Sequence, residues 1–322
     1  MVVTGGAGFL GSRLARELLA AGSLPVAGRP ARPLSRLTLI DQAPAPPDLA
    51  ADSRVAVVRG DLADPGFAWD ALADAELIFH LAAAVSGECE ADFDLGLRAN
   101  LQATHALLAS SRALGTSPTI VFASSVAVFG GSAGTVITDD TWPTPQTSYG
   151  TQKVVCEYLL ADYTRKGSLN GRAVRLMTVS VRPGRPNAAA SGFLSGMIRE
   201  PLAGRRAVCP VEPGTEVALA SPAKATAALL CAAISSDQAW GGRTALTMPA
   251  LTVTVADMAA ALTRVAGPQV SALIDWLPDP AVARMFATWP ARIRADRAAR
   301  LGLVPDPDFD SVIRMHLAET GS

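Results

Sequence analysis

The chain has 322 residues, enough for one large α/β domain or two modest ones. Hydrophobic residues make up 49% and charged residues 18%, a balance that predicts a sizeable packed core and excludes a disordered chain. A formal net charge of -1 gives no general attraction to nucleic acid or to an anionic membrane, so neither is expected as a partner. Pro222, Lys224 and Asp257 interrupt the Ala-rich stretches, so no apolar run reaches the ~18 residues of a membrane span. The start, Met1-Val2-Val3-Thr4, has no basic region ahead of an apolar one, and no secretory leader is expected. Cys89, Cys156, Cys209 and Cys231 show no metal-ligand spacing and read as buried thiols of a reducing compartment, and the three histidines are far apart. A cytoplasmic protein without a metal centre is the expectation.

Strand-like and helix-like stretches alternate through the first half. Val2-Val3-Thr4 predicts a short strand, Gly5 to Gly11 a turn, and Ser12 to Ala21 a helix that stops at Gly22. Leu24 to Arg36, rich in Pro and Arg, reads as a surface excursion. Further strands are predicted at Leu37 to Asp41, Val55 to Val58, Leu77 to His80, Thr119 to Phe122 and within Ala173 to Val181. Helices are predicted at Ala99 to Leu114 and Gln152 to Thr164. Such alternation implies parallel strands joined by right-handed crossovers, that is, a doubly wound α/β sheet of the Rossmann type. After Arg182 prolines and alanines are frequent and strands look sparse. Residues 1-182 are therefore expected to form a dinucleotide-binding domain and 183-322 mainly a smaller substrate-binding lobe, with a strand near 243-248 returning to the main sheet.

Thr4-Gly5-Gly6-Ala7-Gly8-Phe9-Leu10-Gly11 carries the glycine spacing of a diphosphate-binding turn. Gly5 allows the tight turn, Gly8 a close approach of backbone to diphosphate, and Gly11 close packing of helix on strand. Phe9, Leu10 and Gly11 open the helix whose amides and partial positive charge would face the anion. Asp41 ends the second strand, where a carboxylate accepts from both ribose hydroxyls and repels a 2′-phosphate, so NAD is favoured over NADP. Asp61 after the third strand suits the adenine amino group, with Leu62 against the ring; the alternative is a helix cap. The small run Leu81-Ala82-Ala83 lets backbone lie against a ribose, while His80 reads as a packed strand residue.

The strongest chemical signal is Ser124-Ser125 followed by Tyr149-Gly150-Thr151-Gln152-Lys153. With three tyrosines and three lysines in the chain, a Tyr-x-x-x-Lys arises by chance at roughly 3%. Four residues apart on a helix, the two side chains share a face. A free phenol, with a pKa of ~10, is a poor base at neutral pH, and a neighbouring ammonium favours the phenolate. Tyr149 is then expected to take a hydroxyl proton, with Lys153 tuning it and holding a ribose and a serine orienting the substrate oxygen.

These motifs resemble the extended short-chain dehydrogenases/reductases of the NAD-dependent epimerase/dehydratase type, over essentially the whole chain. The resemblance implies an NAD-dependent dehydrogenase acting on a CH-OH group. It makes Ser125, in Ser125-Val126-Ala127-Val128-Phe129-Gly130, the catalytic serine, with Phe129 in place of the usual tyrosine. It also makes Asn100 a support of the active site. The Ser86-Gly87-Glu88 loop resembles the substrate loop of L-threonine dehydrogenases. Family members often dimerise through a four-helix interface, which here would use Ala99 to Leu114 and Gln152 to Thr164, so a homodimer is expected.

For the substrate, Arg182, Arg185 and Asn187 follow the sixth strand at the end of the sheet where ligands bind. A guanidinium fork fits a carboxylate, and Ser86 could meet the same molecule, so a small hydroxy acid is expected. The nucleotide-sugar epimerases of the family show other motifs here, where this chain reads Arg182-Pro183-Gly184-Arg185-Pro186-Asn187. A nucleotide-sugar 4-epimerase and a non-catalytic NAD-binding redox sensor are the alternatives.

Overall fold

A computed structural model describes residues 1–131, 134–184, 191–242 and 244–321. The chain separates into two compact units that interleave along the sequence. The first comprises Met1–Ser125, Thr147–Arg175 and Thr226–Leu246; the second comprises Val126–Gln146, Leu176–Ala225 and Thr247–Ser322.

The first unit is built on strands β1 (Val2–Thr4), β2 (Leu37–Asp41), β3 (Val55–Arg59), β4 (Leu77–His80), β5 (Thr119–Ser125) and β6 (Asn170–Leu176), with β7 (Leu246–Thr247) on the edge beside β6. The sheet order is β7-β6-β5-β4-β1-β2-β3, and the pairs β3–β2, β2–β1, β1–β4 and β4–β5 are all parallel. Its helices include α1 (Phe9–Ala21), α2 (Pro65–Leu72), α3 (Ser86–Ala91), α4 (Ala103–Leu114) and α5 (Ser148–Arg165). This is a Rossmann-like doubly wound sheet. The order reverses at β1 and β4, the switch point beside which such sheets bind ligands.

Apolar residues on both faces of the strands drive this arrangement. Val2, Ile40, Ile78, Ile120 and Phe122 point into one core with Ala68 and Leu72 of α2, Leu107 and Leu108 of α4, and Cys156 and Leu160 of α5. The residues between them on the strands, Val3, Leu39, Phe79 and Val121, are equally buried, as a parallel sheet covered on both sides requires. The Leu24 to Arg36 excursion carries a two-stranded hairpin, Ser23–Leu24 with Arg32–Pro33.

The predicted strands Leu37 to Asp41 and Leu77 to His80 match the structure residue for residue. The predicted helix Ala99 to Leu114 is more complex. Leu97–Gln102 forms a π-helical turn, and α-helix follows only from Ala103.

The second unit corrects the expectation of sparse strands after Arg182. Glu216–Ala220 and Leu251–Thr254 join Thr178–Val179, which lies ahead of Arg182, in one three-stranded sheet, and Ala207–Cys209 pairs with Ile274–Trp276 in another. These strands are short, and alanine, a weak strand former, hides their alternation in the sequence. Helices Gly192–Leu202, Val255–Ala266 and Phe309–Thr320 contribute Leu194, Met197, Ile198, Met258, Leu262 and Ile313 to one core with Val217 and Leu219.

Candidate active site

The turn after β1 is shaped by close backbone approaches. Gly5 has φ +69°, and its amide donates to the Ile40 carbonyl at 2.8 Å. A Cβ at Gly5 would sit 2.8 Å from the Ala82 nitrogen, and one at Gly11 only 2.1 Å from the Gly5 oxygen. A Cβ at Gly8 would meet only the Gly5 oxygen, at 3.1 Å. Helix α1 then starts at Gly8 with no side-chain cap and no acidic residue in its first turn. The Phe9, Leu10 and Gly11 amides thus open a 13-residue helix that, among the described residues, no side chain caps and no first-turn acid neutralises, which suits an anion. Asp41 closes the turn from β2. Its Oδ2 accepts from the Ala7 amide and its Oδ1 from the Ala43 amide, each at 3.0 Å. The glycine cradle, the uncapped helix and a carboxylate at the end of β2 fit a dinucleotide.

Asp61 accepts from the Ala63 amide through Oδ1 and from Arg98 through Oδ2, at 3.0 Å from Nε and 2.7 Å from Nη2. The cap of α2 is Asp64. Leu62 lies in the core beside Ile40 and Ile78 and is 5% exposed. The Leu81-Ala82-Ala83 backbone is fixed against β1, the Leu81 amide donating to the Thr4 carbonyl and the Ala82 amide to Thr4 Oγ1, both at 3.2 Å.

Helix α5 carries Tyr149 and Lys153, and its start lies four residues ahead of the predicted one. Thr147 caps it by accepting from the Gly150 amide at 3.0 Å. Glu90 of α3 accepts from the Ser148 amide at 2.7 Å, which ties the helix that begins at Ser86 to the start of α5. No local pattern in the sequence marks Glu90. Lys153 is buried; its Nζ donates to the Ala123 carbonyl at 2.9 Å and lies 4.7 Å from the centre of the Phe122 ring and 5.5 Å from that of Tyr149. The ammonium is therefore anchored to β5 next to the phenol.

One turn beyond Lys153, Glu157 is buried with Arg175. The guanidinium donates through Nε and Nη2 to the two carboxylate oxygens, and Ser124 Oγ donates to Glu157 Oε1 at 2.5 Å. This engages Ser124 in the interior, while Ser125 ends β5. Its place in the four-residue stripe Tyr149, Lys153, Glu157 is the one signal by which the sequence could have pointed to Glu157.

Asn100 is buried in the π-helical turn. Its Oδ1 accepts from the Ala84 amide at 2.8 Å and its Nδ2 donates to Gln152 Oε1 at 2.7 Å. Gln152 of the Tyr149 to Lys153 motif thus reaches the segment after β4, a link that only the fold reveals.

In the second unit Arg182 is half-buried. Its Nε donates to the Val179 carbonyl at 3.1 Å, and its carbonyl accepts from Arg199 at 2.9 Å. Arg185 and Asn187 lie outside the described residues. Among the described residues no group of three or more potential metal ligands occurs, and no helix is long and apolar enough to cross a membrane.

Residues 1–218 match the model of the NAD dependent epimerase/dehydratase family. The chain belongs to that family. NAD is its cofactor. A D-erythronate dehydrogenase of Cupriavidus necator is 50% identical over 322 residues, covering 100% of this chain and 98% of that protein. Another D-erythronate dehydrogenase, from Haemophilus influenzae, is 39% identical over 98% of each chain. Among solved structures, a nucleoside-diphosphate-sugar epimerase from Agrobacterium tumefaciens aligns with a TM-score of 0.91 at 41% identity, covering 99% of this chain and 94% of the other.

Proposed function

We propose that this protein is an NAD-dependent dehydrogenase that oxidises the C2 hydroxyl of D-erythronate to 2-dehydro-D-erythronate, in the breakdown of four-carbon sugar acids. The observation that carries the reading is 50% identity along the full length of a D-erythronate dehydrogenase. The Tyr149–Lys153 pair gives it a chemical basis.

NAD, when bound, supplies the acceptor for the hydride leaving C2. The first-turn amides of Phe9, Leu10 and Gly11, with Gly5 and Gly8, would hold its diphosphate. Asp41 would take the adenosine ribose, Asp61 and Leu62 the adenine end, and Leu81, Ala82 and Ala83, with Lys153, the second ribose. Asn100 supports this seat by fixing the Ala84 amide. Tyr149, as phenolate, removes the proton of the C2 hydroxyl as the C–H pair departs, so oxygen keeps the electrons of its O–H bond and the carbonyl forms. Lys153 stabilises the phenolate, and Ser125 donates to the substrate oxygen. Ser86, Arg182, Arg185 and Asn187 are assigned to the substrate on chemical grounds, the guanidinium forks to its carboxylate.

We further read the protein as a cytoplasmic homodimer. Its cysteines are free thiols, and Val155 and Tyr158 leave an exposed apolar strip on α5 for a second copy.

The test follows NADH formation with D-erythronate, L-threonate, D-threonate and L-threonine. Preferential turnover of D-erythronate is expected; preference for another acid overturns the substrate and leaves the reaction class. The likeness to a nucleoside-diphosphate-sugar epimerase favours a second reading, a nucleotide-sugar 4-epimerase. That enzyme would keep its NAD through purification and turn over no acid, whereas a dehydrogenase consumes NAD mole for mole.

A further inference from the structure

His80 ends β4, is 1% exposed, and has both ring nitrogens engaged. Thr4 Oγ1 lies 2.7 Å from Nδ1, and Thr104 Oγ1 lies 2.9 Å from Nε2. The neighbours determine which nitrogen carries the hydrogen. Thr104 gives its one hydroxyl hydrogen to the Asn100 carbonyl at 2.6 Å, so toward the ring it can only accept. Nε2 is therefore the donor, and Nδ1 accepts the Thr4 hydroxyl hydrogen. Thr4 Oγ1 in turn accepts from the Ala82 amide. The groups around the ring are Thr4 of β1, Thr104 of α4, Phe122 of β5 and the Lys153 ammonium of α5. Burial and that ammonium hold the ring neutral, pushing its pKa down to about 3.

The result is one directed chain: Ala82 N–H to Thr4 to His80, and His80 to Thr104 to the Asn100 carbonyl. The Asn100 side chain is oriented as well. Because Oδ1 accepts from the Ala84 amide, Nδ2 must face Gln152 Oε1, and Gln152 Nε2 is left buried without a partner among the described residues. The Ala82 amide is thus held by Thr4, which bonds the imidazole directly, and the Ala84 amide by Asn100, whose backbone carbonyl the imidazole reaches through Thr104.

We infer that His80 is a positioning residue for the oxidation: its Nε2–H ring sets the Leu81–Ala84 backbone at one end and Asn100, with Gln152 of α5, at the other. The inference rests on the dehydrogenase reading for its kinetic consequences, since it joins the backbone assigned to the cofactor with the helix that bears Tyr149 and Lys153. A histidine with one arm loose, or with its hydrogen on Nδ1, could not orient both threonines.

Nitrogen NMR of ring-labelled protein without substrate tests the tautomer independently of turnover. An Nε2–H signal that does not titrate between pH 8 and pH 5 is expected; an Nδ1–H signal, or titration in the range of a free histidine near pKa ~6.5, overturns the inference. Two near-isosteric variants then separate the arms. Thr4→Val leaves the Ala82 amide unpaired and should weaken NADH binding, read by fluorescence, about ten-fold with kcat within about two-fold. Thr104→Val should lower kcat about ten-fold with NADH binding within about two-fold. The double variant should lose less than the product of the two, because each breaks the same chain. Lower melting temperatures with binding and kcat both unmoved would show a merely structural role and overturn the inference. His80→Leu removes both arms, and should it fail to fold, the threonine variants and the tautomer still decide. If no acid is turned over, the dehydrogenase reading falls, while the tautomer and NADH binding still decide the placement of His80.

Discussion

Two helices of the first unit begin in opposite ways. Helix α1 starts at Gly8 with its first amides uncapped and no acid in its first turn. Helix α5 starts at Thr147 with one amide held by the threonine hydroxyl and another by the Glu90 carboxylate from α3. An uncapped end stores its donors for a ligand, whereas a doubly held end fixes what the helix carries. Here the open end is assigned to the diphosphate and the closed end holds the phenol that would move a proton. A binding element gains from unspent hydrogen-bond donors, and an element that holds a reacting group gains from a start fixed by side chains.

The contrast can be broken from either side. Removing the acceptor that the closed end positions has the largest expected effect. Tyr149→Phe should lower kcat by about 10³-fold or more with little change in NADH affinity, read by turnover and by fluorescence titration. Gly8→Asp should convert the open end into a closed one, the new carboxylate capping α1 and repelling a diphosphate. NADH binding should weaken by about 100-fold while the melting temperature holds or rises, and unchanged binding would remove the diphosphate from α1.

His80 joins the two ends, since its chain runs from Thr4 ahead of the glycine turn to the asparagine that meets α5. Its folded pKa of about 3 lies below the ~6.5 of an unfolded histidine. The unfolded chain therefore binds a proton that the folded chain refuses. The contribution of His80 to stability is constant above pH ~6.5 and falls as pH drops from there toward 3, by up to about 1.4 kcal/mol per pH unit. Denaturant melts at pH 7, 6 and 5 should show this slope, and His80→Asn should flatten it. Smallest is the cap itself. Thr147→Ala should cost about 1 kcal/mol of stability by thermal melts, with a modest loss of kcat.

The open end was legible in the sequence and the closed end was not, for a physical reason. The glycine turn, Asp41 and the strands at Leu37 and Leu77 are specified by residues adjacent in the chain, so spacing and periodicity suffice. The start of α5 depends on Glu90, 58 residues away. Ser148 and Gly150 are poor helix formers, so local propensity placed the helix start too late. Tyr149, Lys153 and Ser125 could be picked out by type and spacing. That Ser124 is held inside by the buried Glu157–Arg175 pair, whose members come from different elements, is visible only in the fold. In the second unit, Ala-rich strands such as Glu216–Ala220 lack the contrast between inward and outward residues that reveals a strand.

The π-helical turn at Leu97–Gln102 means that this stretch winds one residue more than an α-helix spanning the same rise. Side-chain replacement leaves that surplus in place, so a substitution scan of the segment samples chemistry at fixed register. Deleting a single residue between Leu97 and Asn100 would restore ordinary winding and swing the asparagine through about 100° around the helix axis. The orientation of Asn100 is thus encoded in a length as well as in a residue type.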